Sequence, residues 1–444
     1  MSKTFCPLPW NSINMRNSGD LRICCNANSY TKNRGILAKP DGTVFNAGKD
    51  DWDEARNADL LKDVRKTMLE GEWHSECERC RQEEINGIRS RRQFETIRWM
   101  DYTSHETAKS ITSQDGTIDT QKQSIDYVDI RYGNFCNLKC RMCGPTDSHQ
   151  WYSDFVESTN RSKFQDGSNS VILIKNEKDR WETDFYNWFQ DNPVYWNNFE
   201  KYVVHAKSLY IVGGEPLIIP EHMASLERLI ELGHAKHMTI EYNTNLTTVP
   251  DKLLLLWAQF KTVEIGASID GYDAVFNYQR SPANFDQVYK NMLKIDADTK
   301  INLQAWLAFT VTPLNIFHLP EFMKWKLTQS QLQRFNPEQN NKCIISYHMC
   351  HSPKQYNIKV LPPELKQQVD DRFKEYIKWS KQQDFSQKIK DEFEKILTSV
   401  LRFMHSEDYS GEWLDLFVQQ TKKLDQLRGQ DIVEIVPEYR SLFK

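Results

Sequence analysis

Ten cysteines stand in this 444-residue chain, and most are grouped: Cys6, Cys24 and Cys25; Cys77 and Cys80; Cys136, Cys140 and Cys143; with Cys343 and Cys350 far downstream. In a reducing compartment such groups read as metal ligands rather than disulfides. The tightest group, Cys136-Asn-Leu-Lys-Cys140-Arg-Met-Cys143, places three thiolates on one short loop. Three thiolates can hold three corners of a four-iron cubane and leave the fourth iron open, and an open metal position is a reaction site. Zinc with a distant fourth ligand is the alternative from the same spacing. Cys343, standing alone, reads as a small buried hydrophobe.

The elements that must position this loop come from Ile125 to His351, where short β-rich runs alternate with helical patterns. The predicted strands are Tyr127–Arg131, Ser208–Val212, Met238–Tyr242, Val263–Ser268, Leu303–Val311 and Cys343–Tyr347. Between them lie helical segments such as His222–Leu232 and Phe285–Ile295, the latter with Phe285, Val288 and Met292 on one face behind an N-cap at Asn284. Six such alternations predict an α/β fold with a parallel sheet, curved into an incomplete (β/α)6 barrel. Chemistry in such sheets sits at the C-terminal strand ends, and Cys136 follows the first strand directly.

This loop resembles the cluster loop of the radical S-adenosylmethionine enzymes, and further motifs of that family follow in order. Gly213-Gly214-Glu215-Pro216 comes after the second strand, Asn243-Thr-Asn245 after the third, and Ser268-Ile-Asp270-Gly271 ends the fourth, with Arg280 shortly beyond. The resemblance implies a 4Fe-4S cluster on Cys136, Cys140 and Cys143, whose open iron is chelated by S-adenosylmethionine. Gly213 and Gly214 would let the backbone approach the methionine, Glu215 or adjacent carbonyls would accept from its amine, and Pro216 would fix the turn. Ser268 would reach the ribose or carboxylate, with Arg280 the cationic partner of the carboxylate. Asn243 and Asn245 divide between the ribose and a turn, and Asp270 is counted with the cofactor-binding residues, a turn cap being its plainer role. Met142 stands where many members carry an aromatic residue near the adenine, and is apolar and polarizable enough to serve there. An electron delivered to this cluster would cleave S-adenosylmethionine to a 5′-deoxyadenosyl radical that abstracts a substrate hydrogen.

The N-terminal cysteines form a second pattern: Cys6-Pro-Leu-Pro-Trp10, Gly19 five residues before Cys24, an amphipathic helix with Leu61, Val64 and Met68 on one face, and Cys77-Glu-Arg-Cys80. This resembles the twitch module, the shorter relative of the SPASM extension. The resemblance implies that Cys6, Cys24, Cys77 and Cys80 ligate a second, auxiliary 4Fe-4S cluster, with Cys24 preferred over Cys25. Zinc remains the other occupant for four thiolates. In most relatives this module follows the barrel; here it precedes it. Downstream, His348 and Cys350, with His351, are the catalytic candidates near the barrel mouth, as acid, base or hydrogen-atom donor.

The remaining organisation is read from composition. Residues 1–100 form the auxiliary module, 101–124 a polar linker, 125–355 the barrel with an aromatic-rich insertion near 150–205 expected to pack as a helical cap, and 356–444 a helical extension. A net charge of −4 argues against nucleic acid as the dominant partner, and with neither an apolar span nor a signal-type start the expected compartment is the cytoplasm. Peptide modification or crosslinking is the leading expectation, because twitch and SPASM relatives often mature ribosomal peptides. Oxidation of a small molecule comes second, and a non-catalytic iron–sulfur or zinc protein third. A reductant such as flavodoxin or ferredoxin is the implied electron donor.

Overall fold

The computed structural model describes residues 3–27, 35–335 and 344–444; Cys343, and with it the start of the sixth predicted strand, lies outside them. The strands are β1 (Ser12–Met15), β2 (Leu21–Arg22), β3 (Tyr127–Arg131), β4 (Lys163–Asp166), β5 (Asn169–Ile172), β6 (Ile174–Lys175), β7 (Trp181–Glu182), β8 (Ser208–Val212), β9 (Thr239–Thr244), β10 (Thr262–Ser268), β11 (Leu303–Val311) and β12 (Ser346–Met349). Eight of them form one sheet in the order β12-β11-β10-β9-β8-β3-β1-β2. The pairings β1–β3, β3–β8, β8–β9 and β11–β12 are parallel, and the short β2 pairs antiparallel with β1. Six strands of this sheet are those expected of the partial barrel. Two more come from the N-terminal segment.

The chain divides into two compact units, and the division falls inside β9 and β10. The first comprises Met1–Cys136, Lys163–Tyr242 and Leu255–Val263. On one face of its sheet Val128, Ile130, Leu209, Ile211 and Ile240 are fully buried, which is the apolar core that β-branched residues on a pleated surface supply. The helix Asp59–Leu69 buries Leu61, Val64 and Met68 as its periodicity predicts. Residues 101–124 are not a free linker. Ser104 caps a helix at His105–Ser110 by accepting from Thr107 N, Asn57 Nδ2 donates to the Ile118 carbonyl at 2.9 Å, and Arg65 Nη1 to that of Gly116 at 3.1 Å. Polar composition concealed a segment held by buried donors of the preceding helix and loop.

The aromatic insertion also departs from expectation. Instead of a purely helical cap it contains two small hairpins, β4–β5 and β6–β7, and the helix Pro193–Tyr202. Within the first unit its rings pack on the N-terminal segment: Trp188 Nε1 donates to the Asn17 carbonyl at 3.0 Å, and Tyr202 stacks on Trp52 with centroids 5.6 Å apart. The N-terminal module is therefore bound to strand β3 on one side and to the insertion on the other. It is not a separate body on a tether.

The second unit comprises Asn137–Ser162, Asn243–Leu254 and Glu264–Lys444. β11 alternates strictly, with Leu303, Ala305, Leu307, Phe309 and Val311 buried. The helix Phe285–Ala297 starts where predicted, Asn284 accepting from Gln287 N. Three long helices, Pro363–Gln382, Gln387–His405 and Ser410–Arg428, make the C-terminal extension. Among the described residues no helix is long and apolar enough to cross a membrane.

Candidate metal centres

In the first unit Cys6, Cys24, Cys77 and Cys80 line one pocket, walled by apolar residues including Leu8, Ile23, Val64 and Met68. Cys25, next in sequence, is not among the lining residues. Cys6 enters from the turn before the short helix Leu8–Asn11 and Cys24 just after β2. Cys77 ends a single 3₁₀ turn and Cys80 lies in the first turn of the helix Glu78–Ile85, so a three-residue spacing brings both thiols to one side. Burial is the first cause that raises all four thiols. Cys24 is pushed up to about 12 and Cys80 to about 11, and the thiols of Cys6 and Cys77 are raised further by their neighbours in the pocket. Four thiolates cannot share such a pocket unless cations replace the protons, so a metal held here would release protons and contribute folding energy. Among the described residues no three His, Cys, Asp or Glu side chains are gathered closely enough to hold a single ion; the four thiols surround a space instead. Asn26 Nδ2 stands 3.8 Å from Cys80 Sγ, and hydrogen bonds to sulfur of this kind tune a cluster's potential.

The first unit also carries the Gly-Gly-Glu-Pro turn after β8. Gly213 and Gly214 both have positive φ, +85° and +55°. A Cβ on Gly214 would fall 2.1 Å from the Phe135 carbonyl oxygen, the residue before Cys136, and Glu215 N donates to that same oxygen at 2.8 Å. The turn is thus laid directly on the backbone leading into the cysteine loop. Glu215 is buried, and its carboxylate accepts from Leu217 N at 3.2 Å, capping the turn at Pro216–Ile218. That bond was not anticipated by a role toward an amine.

Behind this turn the buried His222 shares a hydrogen bond with the Tyr242 hydroxyl at 2.9 Å, and burial lowers its pKa to about 3. An unfolded histidine protonates near 6.5, so this group's contribution to stability is complete above that pH and is lost as pH falls toward 3. The expected slope is up to about 1.4 kcal/mol per pH unit, and His222→Gln should remove it from urea denaturation midpoints measured between pH 7 and pH 5.

In the second unit Cys140 is buried and Cys143 half-buried. The Cys140 thiol is held below its ordinary value, first by its hydrogen bond with Cys143 and then, against burial, by the Arg280 guanidinium. Arg280 Nη1 stands 3.8 Å from Cys140 Sγ, and its Nη2 pairs with Asp270 at 2.6 Å. Asp270 is fully buried and accepts from Thr310 N at 2.7 Å. It is the counter-charge that keeps Arg280 in place, which is more than a turn cap. Asp270→Asn should strand a buried guanidinium and cost about 3–5 kcal/mol in chemical denaturation, whereas Asp270→Leu with Arg280→Met should recover most of it.

The loop itself is held from several sides within this unit. Trp151 Nε1 donates to the Cys140 carbonyl at 2.9 Å, and Arg141 N to that of Gln279 at 2.8 Å. Arg141, fully buried, pairs with Asp425 of the C-terminal extension and lies over the Tyr278 ring at 3.7 Å. Met142 is half-buried, and Asn245 donates to Asn137 Oδ1 at 3.0 Å. Asn243 Oδ1 fills the space beside Gly266, where a Cβ would come within 2.3 Å, and Ser268 is the last residue of β10. Of the catalytic candidates, His348 is exposed on β12, the buried Cys350 thiol donates to the Ser352 carbonyl at 3.5 Å, and His351 packs edge-on against Phe403.

No protein-family model matches the chain, and no curated protein matches it. Among solved structures it is similar to anSMEcpe with bound AdoMet, at 16% identity and TM-score 0.32, over 56% of this chain and 58% of that one. It is also similar to SuiB of Streptococcus suis bound to S-adenosylmethionine, at 12% identity and TM-score 0.32, over 78% of this chain and 66% of that one. SuiB bound to the precursor peptide SuiA overlaps at 12% identity and TM-score 0.32, over 83% and 71%. The chain spans less than two thirds of the length of the first two.

Four further side chains of the first unit, Asn17, Arg22, Asp129 and Arg131, gather near the Gly213 turn and strand β3. A signal for two of them was available. In Tyr127-Val-Asp-Ile-Arg131 polar residues recur at every second position of a strand that is buried, where a parallel strand is ordinarily apolar on both faces.

Proposed function

We propose that this protein is a radical S-adenosylmethionine enzyme that modifies a peptide and carries a second, auxiliary 4Fe-4S cluster. The observation that carries the reading is placement. The cysteine loop follows β3, Gly213–Pro216 follows β8, Asn243 and Asn245 stand at the end of β9, and Ser268 closes β10, so each matched motif sits at the C-terminal end of its strand. Fold alone would not license a function, but this order of chemically distinct motifs does. Bound to Cys136, Cys140 and Cys143, a cluster with S-adenosylmethionine supplies a 5′-deoxyadenosyl radical for hydrogen abstraction.

The chain's own residues have definable tasks in this reading. Arg280 places positive charge beside the Cys140 sulfur, and Asp270 orients it. Gly213 and Gly214 let the turn lie against Arg131 and the Phe135 backbone, so that it braces the residue before Cys136, and their backbone is what would face the methionine portion. Cys6, Cys24, Cys77 and Cys80 hold the auxiliary cluster, in which Cys24 is favoured over Cys25 because only Cys24 lines the pocket with the other three. Peptide as the substrate class comes from the twitch resemblance. Anaerobic reconstitution with iron and sulfide tests the metal assignment: about eight irons per chain are expected for two cubanes. One or two bound zinc ions that iron does not replace would favour the non-catalytic reading.

A further inference from the structure

The polar residues of β3 belong to a row. The registers Asn14↔Arg22, Asn14↔Asp129, Asp129↔Tyr210 and Tyr210↔Glu241 align five polar side chains across β2, β1, β3, β8 and β9, none more than 5% exposed. At one end the charges are matched, two guanidiniums to two carboxylates: Glu241 takes Arg98 at 2.5 Å and Arg91 at 3.7 Å, and Arg91 also pairs with Glu95 at 2.6 Å. At the other end Asp129 is the carboxylate that faces two guanidiniums, Arg131 at 3.3 Å and Arg22 at 3.8 Å, with the thiols of Cys24 and Cys25 beside Arg22 and that of Cys25 beside Arg131. Among the described residues the Arg22 side chain makes no hydrogen bond, although it is only 4% exposed, and its Nε is buried without a partner. Asn14 Oδ1 is likewise buried and unpartnered. Buried guanidiniums are normally hydrogen-bonded, so a fold that keeps one bare holds it for something else.

The location is informative. A Cβ on Gly213 would meet Arg131 Cβ at 2.7 Å and Asn17 Oδ1 at 2.8 Å, so the Arg131 end of the row lies directly under the Gly213-Gly214 turn. Arg22 stands two residues before Cys24, which lines the thiol pocket. We propose that Arg22 and Arg131 bind a carboxylate of the substrate, with Asn14 Oδ1 accepting from a neighbouring N–H of the same molecule. A peptide bearing an acidic side chain or its own C-terminus meets this description. The proposal rests on the peptide reading above for the class of molecule, and on the row itself for the charge. A second carboxylate would give Arg22 the hydrogen-bond acceptor it lacks among the described residues and Arg131, which already donates to Asp129 at 3.4 Å, a further one, and guanidinium geometry suits bidentate capture.

The same chemistry could serve the carboxylate of S-adenosylmethionine, and the test separates the two. Binding of N-acetyl-glutamate methylamide and its neutral isostere N-acetyl-glutamine methylamide to the reconstituted protein is measured by ligand-observed NMR, with S-adenosylmethionine affinity measured alongside. Wild type should prefer the glutamate probe at least tenfold. Arg131→Gln and Arg22→Gln should each lose that preference, Arg131→Lys should regain part of it, and S-adenosylmethionine affinity should stay within twofold. Equal binding of the two probes to wild type, or an unchanged preference in both Gln variants, overturns the site. A tenfold loss of S-adenosylmethionine affinity in the Gln variants reassigns the guanidiniums to the cofactor and overturns the substrate role. Should Arg22→Gln fail to fold, the Arg131 pair decides alone. Absence of 5′-deoxyadenosine in wild type would sink the radical reading without touching the probe result.

Discussion

Gly214→Ala should abolish productive turnover while leaving a folded protein. The added methyl would sit 2.1 Å from the Phe135 carbonyl oxygen and 2.7 Å from its carbon, at a residue whose φ of +55° already disfavours any L side chain. Backbone contacts of that kind cannot be relieved by a rotamer change. The turn or the segment entering Cys136 must move, and the hydrogen bond from Glu215 N to Phe135 O must lengthen. Displacements of about 1 Å near reacting groups cost roughly a hundredfold in rate, so 5′-deoxyadenosine formation should fall by at least that factor. Gly411→Ala is the matched control, because nothing lies within 4 Å of its Cβ position, and it should leave turnover unchanged. An unimpaired Gly214→Ala enzyme would mean that the turn has no part in placing the cofactor.

Cys6→Ala with Cys77→Ala should separate the two clusters. Two of four thiols would leave the pocket, half the auxiliary donor set would be missing, and about four of eight irons should be lost on reconstitution. The apolar residues around the pocket then lose the metal that draws Cys6, Cys24 and the Cys77–Cys80 turn together, so the N-terminal segment should also become protease-sensitive. The cysteine loop after β3 keeps all its ligands. Reductive cleavage of S-adenosylmethionine should therefore persist while modified product disappears; product formation by this variant would show that the auxiliary cluster is not needed for chemistry.

The strands and motifs of the barrel were legible because their signals are local. Tyr127–Arg131, Ser208–Val212 and Leu303–Val311 are bounded as their apolar runs predict, and Asn284 caps its helix through a bond three residues away. What could not be read depends on pairing through space. β1 is four residues long, Ser-Ile-Asn-Met, and β2 only two, too short for any periodicity; β1 becomes a strand because β3 offers an edge, and β2 because β1 then does. The same pairing creates the row from Arg22 to Glu241, whose members are scattered over more than two hundred positions of sequence. Asp270 looked like a turn former because its partner Arg280 and its donor Thr310 N come from other elements. Residues 101–124 looked like a linker because the groups that hold them, Asn57 and Arg65, lie far upstream.

The most direct test of the whole account is anaerobic reduction of reconstituted wild-type protein with S-adenosylmethionine, followed by quantitation of 5′-deoxyadenosine. The account predicts 5′-deoxyadenosine and methionine in equal amounts from wild type, and none from a variant with Cys136, Cys140 and Cys143 replaced by Ala. Cofactor that survives intact with a fully loaded, reduced wild-type protein, or cleavage that survives loss of the three cysteines, would contradict it.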